Sequence, residues 1–246
     1  MARNFAAGTD LVSIANDAAY DLALLSFSAK IRQTDATNLN TIAGRADTIA
    51  SFSGFSFVLN GGPPNLFLKD GTGIVLNVIG TTDAADGAWH TVGFVARQAS
   101  GGTGRVYVDG VDEASGANSA AWTFNGQALR LGLHQDAFWS PFVGDIAEVA
   151  IWDVELDANE FAALHKGFTP DRIRPSSLVS YWPLIGKAAT ELDIVGGRGG
   201  TVTGTTAAAH PRVIQSPRMY YSFIPAVVAG GGGSADNLLT LLGVGS

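Results

Sequence analysis

Between residues 134 and 142 the chain reads His134-Gln135-Asp136-Ala137-Phe138-Trp139-Ser140-Pro141-Phe142. Three aromatic rings fall within five residues, beside an imidazole, an amide and a carboxylate. Such a set can bind a sugar, the aromatic packing on the apolar side of the ring while Asp, Asn or Gln reads the hydroxyls. Trp122-Thr123-Phe124-Asn125 offers the same kinds of group. The same rings would equally cap a core or meet another subunit, because aromatics are enriched in both settings. His134, Gln135, Asp136, Phe138, Trp139 and Phe142 are the candidate glycan or interface loop.

Other chemistries find fewer parts. Glycoside hydrolysis needs two carboxyl groups across one face, which strand alternation supplies from E-x-D-x-x-E. Here Glu148-Val149-Ala150-Ile151-Trp152-Asp153 has apolar residues in between, and Asp145 and Glu148, three apart, would face opposite ways on a strand. Glu148 is expected to be an outward polar residue or a hydrogen-bond partner near the sheet edge. The four histidines, His90, His134, His165 and His210, show no H-x-x-x-H spacing, and no Ser occupies a G-x-S-x-G elbow. There is no cysteine, which removes disulfides, thiolate metal sites and thiol catalysis. Asp83, Asp86, Asp136 and Asp145 are loop-adjacent acids without a D-x-D-x-D loop, so Asx turns are expected of them. The expectation is a protein that is not an enzyme and has no cofactor, calcium being the one cation left open.

The elements that would position these residues are short strands. His90-Thr91-Val92 onward places Val92, Phe94 and Ala96 on one face; Val106 and Val108 follow, then Leu129, Leu131 and Leu133, then Gly144 to Trp152. Asp109-Gly110 is a tight hairpin signal. Upstream, residues 4–14, 22–32, 41–45, 55–59, 66–69 and 74–79 read as further strands, with Asn60-Gly61-Gly62-Pro63-Pro64 as a turn. One helix is expected after Asp157, with Glu160 completing a capping box, Phe161 and Leu164 on one side and Gly167 ending it. Apolar faces on successive strands need a second sheet, so the fold class is all-β, an antiparallel two-sheet sandwich. Only 15% of residues are charged, the net charge is -7 and no Lys/Arg block occurs, which disfavours nucleic acid. Low charge and 31 glycines suit a turn-dense β protein, or one with much surface against other subunits. No membrane span and no apolar segment of a secretory signal are present, so synthesis in a cytoplasm is expected.

The ordered motifs D-G-x-W-H-x-V, V-Y-V-D-G, L-R-L-G and G-D-I-A-E-V-A-I-W-D-V-E-L resemble laminin-G-like domains of the concanavalin A-like jelly-roll superfamily, over roughly residues 5–185. The resemblance implies a jelly roll with a short helix across one end, and it implies fold more firmly than function. Animal extracellular modules of this kind often carry a disulfide, so the missing cysteines lean towards a bacterial or viral source. Y-W-P-L at 181–184, the turn near Asp193, T-V-T-G at 201–204 and His210-Pro211 resemble laminin-G-like proteins from structural regions of tailed phages.

Gly230 to Gly233 followed by Ser234 make a flexible linker by composition, leading to Leu238, Leu239, Leu241 and Leu242. These leucines are the candidate assembly arm, docking on neighbouring subunits or on their own domain. The expected organisation is a jelly-roll domain at 1–211 and a C-terminal extension and arm at 212–246. The functional expectation is a non-enzymatic virion structural protein, self-associating and partnered by other virion proteins on a capsid or tail. The alternative is an extracellular carbohydrate-binding adhesion module that recognises host glycans.

Overall fold

The computed structural model describes residues 1–35, 37, 39–46, 53–124, 126–186 and 188–214. Residues Met1–Ile214 form one compact unit. Leu238, Leu239, Leu241, Leu242 and the glycine run before them lie outside the described residues, as does Asn125.

The strands are β1 (Ala2–Phe5), β2 (Leu11–Ile14), β3 (Leu24–Gln33), β4 (Leu39–Ala46), β5 (Ser53–Asn60), β6 (Pro64–Asp70), β7 (Ile74–Ile79) and β8 (His90–Arg97). They continue with β9 (Thr103–Val108), β10 (Val111–Ala117), β11 (Leu129–Leu131), β12 (Gly144–Trp152), β13 (Leu178–Trp182), β14 (Thr190–Glu191), β15 (Gly200–Thr203) and β16 (Thr206–Ala208). One sheet runs β10-β9-β8-β3-β12-β1-β16, with β13 also paired to β12; the other runs β14-β15-β2-β11-β4-β5-β6-β7. Every ladder between these strands is antiparallel, so the described residues form the expected two-sheet jelly roll with one α-helix. Among the described residues no helix is long and apolar enough to cross a membrane.

The core lies between the sheets. Phe27 of β3 stacks on Phe94 of β8 with centroids 5.5 Å apart, and Phe55 and Phe57 of β5 meet the Phe94 ring at 5.1 and 5.2 Å. All four are buried. Burying a side chain of this size is worth about 1.5–3 kcal/mol, and aromatic pairing adds to that.

Two expectations need correction. Residues 4–14 are not one strand: β1 and β2 belong to opposite sheets. The chain reverses because Asp10 Oδ2 accepts from the amides of Ala6 and Ala7, at 2.8 and 3.0 Å, which folds the intervening residues into a turn. The third Leu strand also stops at Leu131, because Gly132 has φ +83 and Leu133 leaves the ladder.

The first sheet is covered on its outer face as well. Helix α1 (Ala158–His165) starts at the Asp157–Glu160 capping box and lays Phe161 on Tyr107, rings stacked at 4.2 Å. Val95, Ala150, Trp152 and Leu178 complete this second apolar cluster. Gly93 makes room for it: a Cβ there would stand 2.3 Å from Phe161 Cε1 and 2.6 Å from Phe27 O. Lys30, buried beneath the helix, donates to Thr91 Oγ1 and to the Leu164 carbonyl at 2.9 and 2.8 Å, placing a cation at the helix C-terminus. Burial pushes its pKa down, opposed by the Glu148 and Asp109 carboxylates.

The Asp109-Gly110 hairpin ties the helix to β8 electrostatically. His90 Nδ1 meets Asp109 Oδ2 at 2.8 Å and its Nε2 meets Asp86 Oδ1 at 3.1 Å, while His165 Nδ1 lies 2.9 Å from Asp109 Oδ1. The Asp109 contact, with Asp86 adding to it against a cost of burial, raises the His90 pKa to about 9.

Two outcomes follow from these contacts. Gly93→Ala should cost about 1–3 kcal/mol by overpacking, read from urea unfolding, and the loss should be accompanied by exposure of α1 to hydrogen exchange. A raised His pKa means the native state holds the proton more tightly. His90 therefore contributes its full stabilisation below about pH 6.5, and that is lost as pH rises through about 9. His90→Gln should flatten the fall in Tm between those pH values and leave the acid limb unchanged.

Candidate functional site

The 132–144 loop rises from β11 and returns to β12, and its ends are drawn together by the Phe142 amide, which donates to the Gly132 carbonyl at 2.7 Å. Gly132 is required there, since a Cβ would stand 2.3 Å from Phe5 Cδ1. Midway, Ser140 pairs with β4: its amide donates to Leu39 O and its carbonyl accepts from the Thr41 amide, at 3.0 and 2.9 Å.

The loop lies on the outer face of the second sheet. In β5, Phe55, Phe57 and Leu59 enter the core, so Ser56 and Val58 face outward; in β6, Phe67 and Lys69 do likewise. Trp139 packs on this face against Val58 and Phe67, its ring 5.0 Å from Phe67 and 5.0 Å from Lys69 Nζ, and is only 5% exposed. His134 lies over Gly44, where a Cβ would approach its Cδ2 to 2.6 Å. Its Nδ1 accepts from the Asp136 amide at 3.0 Å, so Nε2 carries the proton and donates to Ser56 Oγ at 2.9 Å. Burial, with the Lys69 cation adding to it, pushes the His134 pKa down to about 3, and the ring is neutral.

The candidate set therefore divides. His134, Trp139 and Phe142 are packing residues, Phe142 being fully buried with its ring edge-on to Phe5 at 6.3 Å. Phe138 is 60% exposed and stands edge-on to Trp139, centroids 5.3 Å apart. Its amide donates to Asp136 Oδ1 at 2.9 Å, and Gln135 and Asp136 are half-buried beside it. The second aromatic stretch is packed too: Trp122 is buried edge-on to Phe124 at 4.6 Å, and the Arg45 guanidinium lies 4.2 Å from the Phe124 ring.

The acids are engaged in structure. Glu148 is buried, not outward, and sits at φ +53 where β12 is irregular between Ala147 and Ala150. It accepts from Tyr181 Oη at 2.6 Å and contacts His210 Nε2 at 3.0 Å. Asp83 and Asp86 accept from the amides of Ala85 and Ala88 in Asx turns. Among the described residues no three His, Asp or Glu side chains converge as a cation site.

One constellation escaped the sequence. A shallow cavity of about 370 Å³ opens between the ends of β1 and β3 and the start of β12, lined by Asn4, Phe5, Arg32, Gln33, Val143 and Asp145 among others. Arg32 binds Asp145 Oδ2 through Nε and Nη2, at 2.8 and 2.5 Å, and Asn4 Nδ2 donates to Asp145 Oδ1 at 2.8 Å. The Trp89 ring lies 5.3 Å from the Arg32 guanidinium. These residues are far apart in sequence and share no motif; only the antiparallel register of β12 with β1 and β3 brings them together.

Solved structures with this fold include a candidate carbohydrate-binding protein from Bacteroides ovatus, with a TM-score of 0.65 at 20% identity. The match covers 87% of this chain and 61% of that one, so this chain spans about three-fifths of its length. The CBM40 of a Ruminococcus gnavus IT-sialidase, solved with α2,3-sialyllactose, gives a TM-score of 0.53 at 14% identity over 66% of this chain and 95% of that one. A heptameric SAP-like pentraxin from Limulus polyphemus gives 0.52 at 14% identity, over 67% and 81%. Comparison with curated proteins gives no match. The laminin-G-type family model described as the concanavalin A-like lectin/glucanases superfamily matches residues 6–162, from the Asp10 turn into helix α1, and the chain belongs to that family.

Proposed function

We propose that the protein is a non-catalytic carbohydrate-binding module whose stacking surface is Phe138. The observation that carries this reading is the contrast between neighbouring rings. Trp139 is spent on the sheet, while Phe138 is held out in solvent by a loop fixed at both ends and in the middle. An aromatic presented on a rigid support loses little freedom on binding, and Gln135 and Asp136 lie beside it to read hydroxyls. The fold shared with sugar-binding proteins supports the same reading.

Binding without turnover is supported by the carboxylates. Asp145 is tied to Arg32 and Asn4, and Glu148 is enclosed with Tyr181 and His210, so neither is free to act as acid or nucleophile on a bound glycoside. The place of action we infer is extracellular or on a particle surface, where glycans are displayed. The virion-assembly expectation is not carried into this reading. Of residues 178–211, whose motifs suggested it, the stretch to Ala208 completes both sheets as β13 to β16, and the leucine arm lies outside the described residues.

Glycan-array binding by the wild type, followed by titration of the best ligand, tests the proposal. Phe138→Ala should weaken affinity roughly tenfold, about 1.4 kcal/mol, while stability changes by less than about 0.5 kcal/mol. Trp139→Ala should cost about 3–5 kcal/mol of stability by leaving a cavity over Val58 and Phe67. Undiminished glycan binding by Phe138→Ala would overturn the assignment.

A further inference from the structure

We propose that the outer face of the second sheet, from Arg130 to the Phe138 loop, takes a short acidic oligosaccharide, with Arg130 pairing to a carboxylate on one of its sugars. The inference rests on the carbohydrate reading of the protein and names the class of glycan.

Register draws one line of residues across this face. Thr190 of β14 stands opposite Thr201 of β15, Thr201 opposite Ser13 of β2, and Ser13 opposite Arg130 of β11. Arg130 in turn faces Gly44 of β4, and Gly44 faces Ser56 of β5. The line lies on the outer face, because strand neighbours such as Val12, Leu129, Leu131 and Phe57 lie in the core. The 132–144 loop divides it. His134 covers Gly44 and Ser56, whereas on the other side Thr190 and Thr201 are exposed and Ser13 and Arg130 are half-buried.

Arg130 is the charged group on this line, and it lacks a counterpart. Arg3, Arg32, Arg45 and Arg198 each meet a carboxylate, at 2.5, 2.5, 2.6 and 3.0 Å. Arg130 meets none among the described residues, and its Nε is buried without a hydrogen-bond partner. Its strand is paired on both sides, with β2 and β4, so the exposure it keeps belongs to the side chain. A half-buried guanidinium has lost part of its water and gained no ion in return, a cost that an arriving anion removes. Its planar fork takes a carboxylate through two parallel hydrogen bonds. The Ser13 and Thr201 hydroxyls beside it make no side-chain hydrogen bond to the described residues and can both donate and accept.

The surroundings agree in sign. Burial first, then the Lys69 and Arg130 cations, hold His134 neutral against the Asp136 carboxylate. Lys69 is 4% exposed beside the Trp139 ring, so Arg130 is the cation of this pair that a ligand can reach. One accessible cation on a chain of net charge -7 suits a single acidic group, not a polyanion. Scale sets the length. Adjacent strands lie about 4.8 Å apart, so Arg130 and the Val58–Phe67 floor under Trp139, two to three strands away, are separated by about 10–14 Å. With Phe138 edge-on to Trp139, a di- or trisaccharide bridges the two points and a single ring does not.

The experiment is a calorimetric titration of the full chain with oligosaccharides ending in glucuronate, galacturonate or N-acetylneuraminate, each beside its carboxyl-reduced counterpart. At least one acidic glycan should bind roughly tenfold more tightly than its reduced partner. Arg130→Gln should bring the acidic glycan down to the level of the reduced one, whereas Phe138→Ala should weaken both alike. Should Arg130→Gln unfold the chain, Arg130→Lys replaces it, with the preference reduced because the fork is lost. Equal binding of acidic and reduced glycans, a preference that survives intact in the folded Arg130 variant, or equal binding of a glutamate-rich peptide would each overturn the proposal. Failure of the underlying readings appears differently. No binding of any glycan overturns the carbohydrate reading itself, and undiminished binding by Phe138→Ala with the acid preference intact overturns stacking on Phe138 alone.

Discussion

The inter-sheet stack of Phe27, Phe94, Phe55 and Phe57 is the contact on which the other features depend. It sets the register of both sheets, because side chains alternate and a slip of one residue in β3 would bring Ser26 and Ser28 into the core in place of Phe27 and Ala29. With that register fixed, the outward residues of each sheet are fixed too. The first sheet then presents Val95, Tyr107, Ala150 and Trp152 on its far side, which is too apolar to face water. The second presents Ser56, Val58, Phe67 and Lys69, a mixed face that one loop can cover.

Covering the first sheet on both sides obliges its polar residues to find partners within the protein. Ser26 Oγ donates to Val154 O and accepts from the Leu156 amide; Lys30 ends on the last carbonyls of α1; Glu148 takes Tyr181 and His210. Burial, together with the adjacent Glu148 carboxylate, pushes the Tyr181 hydroxyl pKa well above its usual range, so Tyr181 remains the donor. The left-handed backbone of Glu148 is accounted for in the same way: the irregular step in β12 turns its carboxylate towards Tyr181 and His210 under the added layer. Glu148 is thus the hydrogen-bond partner that was one of its two expected roles, but buried by an irregular step in β12 that acid spacing does not signal.

Much of this was legible in the residues. Alternation identified β3, β8 and β9, Asp109-Gly110 marked its hairpin, and Asp157 with Glu160 marked the start of α1, because each signal is complete within a few positions. The break between β1 and β2 was hidden. Phe5, Leu11 and Val12 read as one apolar run, and only the Asp10 carboxylate, gripping two amides upstream, separates them. The closing strands depend on still longer contacts. Arg3 in β1 pairs with Glu191 at 2.5 Å, both nearly fully buried, joining the first residues of the domain to the segment that finishes it. No local pattern announces a pairing across 188 residues. The Arg32–Asp145 cavity was invisible for the same reason.

The loop shows the limit most sharply. Phe138 and Trp139 are adjacent, of similar chemistry, and outside any regular element, so neither period 2 nor period 3.6 assigns them a side. Their fates are decided by the sheet beneath. Val58, Phe67 and Lys69 offer one slot of apolar floor with a cation beside it, and the larger indole fills more of that slot and meets the cation with the stronger ring face. Once Trp139 is seated, the backbone between Asp136 and Ser140 is pinned at both ends, and Phe138 is left with no pocket to enter. Its exposure follows from its neighbour's burial. A ring displayed in that way is ordered before any ligand arrives, which is the property a weak, stacking-based contact with a sugar most needs.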